Sequence, residues 1–120
     1  MTASCSASPD PATLVPGAVW YVQSWVLSGG DVKPARPVVI VQGPRHGVAL
    51  VIVWARTTDA KVPGVFTPAR VLRRLTKDGV VAPRHQHAID ISLLSKPTCE
   101  FLGILPEPYL SQVIAMWEAS

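Results

Sequence analysis

Two apolar runs, set apart by a short polar break, limit what this chain can fold into more than any other feature. PVVIVQ (37–42) and VALVIVWA (48–55) are dense in β-branched residues, and GPRHG, Gly43 to Gly47, lies between them. Runs of that length and composition favour strands, and a five-residue glycine-containing connection makes them an antiparallel hairpin. Apolar residues at every position, with no alternation, predict burial on both faces. Pro37 fits only as an opening residue, because proline donates nothing to a ladder.

The rest of the chain reads as short elements around that hairpin. Its 120 residues are 48% hydrophobic and 16% charged, too apolar for disorder and sized for one domain. Twelve prolines argue against a helical bundle. Residues 1–15 read as a loose tail and 16–120 as the domain. AVWYVQSWV (18–26) predicts a strand, followed by the loop LSGGDVKPAR. GVF (64–66) is a short strand. TPARVLRRLTKDG predicts a short helix over 67–79, with Thr67 as N-cap and Pro68 in the first turn. HAIDISLL (87–94) alternates like a half-exposed strand, and 98–104 is another. EPYLSQVIAMWE (107–118) carries Leu110, Val113, Ile114 and Trp117 on one stripe of a terminal helix. The sum is a mainly β, α+β domain: a small antiparallel barrel or strongly curved sheet capped by a mid-chain and a C-terminal helix.

Charge and chemistry-bearing residues narrow the function classes. The net charge of +3 permits a phosphate or nucleic-acid partner without requiring one. The span between Asp10 and Asp31 is uncharged, but Pro11, Pro16, Gly17, Gln23 and Ser24 interrupt it. It lacks the ~18 continuous apolar residues of a membrane helix, so no membrane partner is expected. Two cysteines, Cys5 and Cys99, make no disulfide framework and fit a reduced compartment. His85-Gln86-His87 lacks a third ligand at diagnostic spacing, so no metal and no other cofactor is expected. Arg70, Arg73, Arg74 and Lys77 recur at i, i+3, i+4 and i+7, a cationic helix face able to follow an RNA backbone or meet an acidic protein. Trp25 is a candidate for base stacking, whereas Trp54 reads as core.

Arg36 stands out because it sits at the mouth of a buried strand, beside the glycine-bearing loop. PGAVWYV, that loop, ARPVVIVQ, a second apolar strand ending in threonine, and LGILPEPYLSQV follow one another here. Together, over residues 16 to 118, they resemble the MazF/PemK/Kid family of toxin endoribonucleases. The resemblance implies an SH3-like barrel, a cytoplasmic homodimer, a cognate antitoxin, and metal-free cleavage of single-stranded RNA through the 2′-hydroxyl. It places the family's loop arginine at Arg36 and its threonine at Thr57 or Thr58. The acid that some members use late in the sheet is matched by Ser95, and the loop SGGDVKPARP lacks the family's Glu-Gln pair.

Such a reaction must remove the 2′ proton, stabilise charge on the phosphorane and protonate the leaving oxygen. Arginine meets the second demand with a planar fork of donors, and is a poor base. Histidine meets the first: His46, beside Arg45, is the favoured candidate, with His85 and His87 behind it. Lys33, Arg45 and Arg56 join the cationic stripe as expected RNA contacts. The alternatives are a CcdB-like, non-enzymatic gyrase-binding toxin resting on Trp117, and a catalytically degenerate barrel that only binds RNA or protein.

Overall fold

A computed structural model of the protein describes residues 10–22, 25–26, 32–33, 36–45, 47–97 and 99–120. Six strands form one antiparallel sheet: β1 (Ala18–Val22), β4 (Arg36–Gln42), β5 (Leu50–Thr57), β6 (Val65–Thr67), β7 (Gly79–Asp90) and β8 (Cys99–Ile104). Their spatial order is β6-β7-β5-β4-β1-β8, curled into a half-barrel. Two short strands, β2 (Trp25–Val26) and β3 (Val32–Lys33), pair only with each other. They keep the register of β1 on β4: Val22 faces Arg36, Trp25 faces Lys33 and Val26 faces Val32. The β1–β4 hairpin therefore extends beyond the sheet as a second pair of strands. Among the described residues two α-helices follow, the single turn α1 (Ile91–Leu94) and α2 (Tyr109–Glu118).

The expected hairpin is present, with Val38 opposite Ala55 and Val39 opposite Trp54. It is buried on both sides, because alternate side chains enter two separate cores. Val38 and Ile40 join Val51, Val53, Ala55, Trp20 and Ile89 in the first. Val39 and Val41 join Trp54, Val81, Leu102 and Val113 in the second. The first core is closed by Leu14 and by Leu94 of α1. The second is closed by α2 and by Val71, Leu72 and Leu75. Trp54 is 1% exposed, lies edge-on to Trp117 of α2 with centroids 6.0 Å apart, and donates its indole N–H to Gln86 Oε1 at 2.9 Å.

Three expectations need correction. Residues 67–79 form no helix. Thr67 ends β6, and the chain to Lys77 turns through left-handed backbone at Arg70 (φ 65°) and Arg74 (φ 69°). The Ala69 N–H donates to Asp78 Oδ1 at 2.7 Å, tying the loop's ends together. An unbroken helix would have kept Val71, Leu72 and Leu75 on one stripe; the bent loop drops them into the second core instead. The second correction concerns 87–94. β7 begins eight residues earlier and stops at Asp90, whose carboxylate accepts the Ser92 N–H at 2.9 Å and starts α1. Asp90 is held below the usual carboxylate range by that bond and by the Ser92 hydroxyl. Third, the end of the segment expected to be a loose tail packs down. Asp10 caps a 3-10 turn over Pro11–Thr13, Leu14 is buried, and the Trp20 indole donates to the Thr13 carbonyl at 2.8 Å.

Among the described residues no helix is long and apolar enough to cross a membrane. The mutual packing of Trp54 and α2 gives a direct test. Trp54→Ala is expected to cost about 3–5 kcal/mol in chemical denaturation, the range for truncating a large buried aromatic.

Candidate active site

Carrying the register of Val38 on Ala55 two residues further sets Arg36 opposite Thr57. Both side chains then stand on the same side of the sheet as the first core. Adjacent to them the sheet opens into a pocket of about 230 Å³ lined by Arg36, Pro37, Arg56, Thr57 and Thr58. Arg36 and Thr57 are half-buried and Thr58 is exposed. Among the described residues no ion pair involves Arg36; both pairs that form belong to Glu100. Thr57 Oγ1 accepts the Asp59 N–H at 3.1 Å, which fixes the oxygen and leaves the hydroxyl hydrogen to donate. One half-buried guanidinium and one oriented hydroxyl thus share a pocket of a size and polarity suited to a phosphate group.

Arg56 lines the same pocket but does not serve as a surface cation. It is 6% exposed. Its Nε donates to Thr67 Oγ1 at 2.7 Å, and its Nη2 donates to the carbonyls of Thr67 at 3.1 Å and Lys77 at 2.6 Å. The Thr67 hydroxyl in turn donates to the Gly79 carbonyl at 3.2 Å. A side chain at Gly79 would run into the guanidinium, its Cβ 2.7 Å from Cζ. Burial lowers the Arg56 pKa, and the carboxylate of Asp78 opposes that shift. The expected RNA contact is therefore a brace that holds β5, β6 and the 68–78 loop together.

The cationic stripe is also dispersed. With no helix at 67–79, the four residues share no helix face. Arg73 and Arg74 bind Glu100 at 3.1 and 2.6 Å, Arg73 also donates to the Phe101 carbonyl, and Arg74 lies 4.2 Å over the Tyr21 ring. All four are exposed, and Arg70 and Lys77 form no ion pair among the described residues. Arg45 is exposed at the turn of the β4–β5 hairpin, donating to Gln42 Oε1 at 2.9 Å. His46 lies outside the described residues. Its neighbours Arg45 and Gly47 stand at the far end of β4 from Arg36, ~20 Å away along the strand at ~3.3 Å per residue. The backbone of Lys33 belongs to β3, on the arm that continues past Arg36. Ser95 caps α1, its hydroxyl donating to the Ser92 carbonyl at 2.7 Å.

Of the residues singled out from sequence, the structure brings together Arg36, Thr57 and Thr58. It scatters the stripe and separates the hairpin turn from them. The supporting Thr67 and Gly79 were not foreseen. Their one signal in the sequence is an arginine, Arg56, at the end of a strand otherwise buried on both faces, since a charge so placed needs partners. Among the described residues, no three His, Cys, Asp or Glu side chains come together as a metal would require. No family model matches this chain, and no curated protein matches it in sequence.

The two arginines should separate cleanly in stability. Arg56→Met leaves the Thr67 and Lys77 carbonyls without a donor and is expected to cost about 1–3 kcal/mol in urea unfolding. Arg36→Ala removes no partner and is expected to stay within about 0.5 kcal/mol of the original protein.

Proposed function

We propose that this chain is a metal-independent endoribonuclease toxin of the MazF/PemK/Kid type. It cleaves single-stranded RNA, works as a cytoplasmic homodimer on an SH3-like barrel, and is restrained by a cognate antitoxin. The observation that carries the reading is that Arg36, at the start of β4, and Thr57, at the end of β5, line one pocket. The family resemblance places its arginine at Arg36 and its threonine at Thr57 or Thr58, and both threonines line that pocket.

The chemistry follows from the two side chains. A phosphodiester seated in the pocket meets the Arg36 fork on its non-bridging oxygens and the Thr57 hydroxyl on one of them. As the 2′-oxygen attacks, charge builds on those oxygens, and donors already in place stabilise it more than they stabilise the ground state. Arg36 keeps its charge throughout the neutral pH range. Lys33, on the arm beyond Arg36, and exposed Arg70 and Lys77 supply electrostatic attraction to the strand rather than chemistry. The gyrase-binding reading draws no support from Trp117, which is packed against Trp54.

Purified protein is expected to cut a mixed single-stranded RNA pool in EDTA, leaving 2′,3′-cyclic phosphate and 5′-hydroxyl ends. Arg36→Ala and Thr57→Val are each expected to lower the single-turnover rate by about 100- to 1000-fold, the loss typical of one charge-stabilising donor. Intact RNA after prolonged incubation with the folded protein would remove the reading. RNA bound but uncut would point to an interaction module instead.

A further inference from the structure

β7 changes its pairing half-way along. Val80 and Val81 face Thr57 and Arg56, whereas Gln86 to Asp90 face Trp54 to Leu50. The four residues from Ala82 to His85 therefore stand against Ala55 alone. Bulges bend a strand and re-aim its side chains, and they are over-represented beside active sites. From 83 onward, through the bulge and into the paired stretch, burial alternates: 83, 85, 87 and 89 are the more buried positions, and 84, 86, 88 and 90 are exposed. Ile89 lies in the first core with Val51, Val53 and Ala55. His85 is on that same side, which is the side where Arg36 and Thr57 meet.

The bulge thus sets half-buried His85 next to Gln86, the last residue paired with Trp54, on the stretch of β7 that stands against the small Ala55, two residues along β5 from Thr57. His85 does not line the pocket itself; a phosphodiester held there by Arg36 and Thr57 reaches it by extending its ribose along β5 toward Ala55. Resting on the ribonuclease reading above, we infer that His85 is the general base. Its neutral imidazole takes the 2′-hydroxyl proton as the 2′-oxygen bonds to phosphorus. The P–O5′ bond breaks, the 5′-oxygen leaves with that electron pair and takes a proton from water, and the imidazolium later returns its proton to solvent. Among the described residues, the other ionisable groups on this side are Arg36, across β5, His87, two positions along β7, and Cys99 on β8. Val53, Ala55 and Thr57 of β5 and Ile91, Leu93 and Leu94 of α1 add none in the neutral range. Arg84 lies on the opposite face.

The test is single-turnover cleavage of end-labelled RNA by the full chain in EDTA, across the neutral pH range. The original protein is expected to show a rate that rises with pH as a single group loses its proton. His85→Gln is expected to be slower by about 100- to 10,000-fold, the usual contribution of a positioned base, and to lose that limb. Its binding of an uncleavable 2′-deoxy analogue should be kept, and added imidazole should partly restore His85→Ala, neither of which a merely structural role explains. Cleavage that still needs Arg36 but keeps its rate and acidic limb in His85→Gln would overturn this inference alone, as would loss of the limb in His87→Gln instead. Absence of cleavage by the original protein would overturn the ribonuclease reading beneath it.

Discussion

The β4–β5 hairpin is apolar on both sides, and the remainder of the chain is arranged to cover it. Side chains of opposite parity enter different cores, Val38 and Ile40 on one side, Val39 and Val41 on the other. Neither side can be left to water without forfeiting much of the burial that offsets chain entropy. Leu14 and α1 close one side, and α2 with the bent 68–78 loop closes the other. The loop is held by contacts distant in sequence: Arg73 and Arg74 on Glu100, and Ala69 on Asp78.

Cover stops at one end of the hairpin, and the pocket lies there. Arg36 opens β4 and Thr57 closes β5, so the antiparallel hairpin puts both at one end of the sheet, lining one pocket, although 21 positions separate them. The ladder behind them, from Val38 opposite Ala55 onward, sets their spacing. At the opposite end, Arg45 and Gly47 are exposed, ~20 Å along the strand from Arg36 at ~3.3 Å per residue.

How far the sequence disclosed this depends on whether a signal was local. The two apolar runs, their hairpin and their two-sided burial follow from composition alone, as does the C-terminal helix with its buried Val113. Arg36 and Thr57 were legible through the order of motifs and the strand boundaries. The segment 67–79 was not, because its periodicity is helical while its fate is tertiary: Thr67 serves the buried Arg56, and left-handed backbone at Arg70 and Arg74 lets three apolar residues reach a core. The switch from β7 to α1 was hidden by alternation that continues through Ile91, and only the Asp90 cap marks it. The bulge next to the paired Gln86 carries the placement of His85. No local pattern announces that four residues will stand against one.

Arg56 has a consequence beyond holding strands together. Its guanidinium stays protonated although it is nearly sealed from water and has no carboxylate in direct contact among the described residues. A fixed charge of that kind is weakly screened by salt, unlike the mobile cations outside. The floor beneath Arg36 and Thr57 is therefore electropositive before any ligand arrives. An anion entering there meets a standing field that neither buffer nor side-chain motion can switch off.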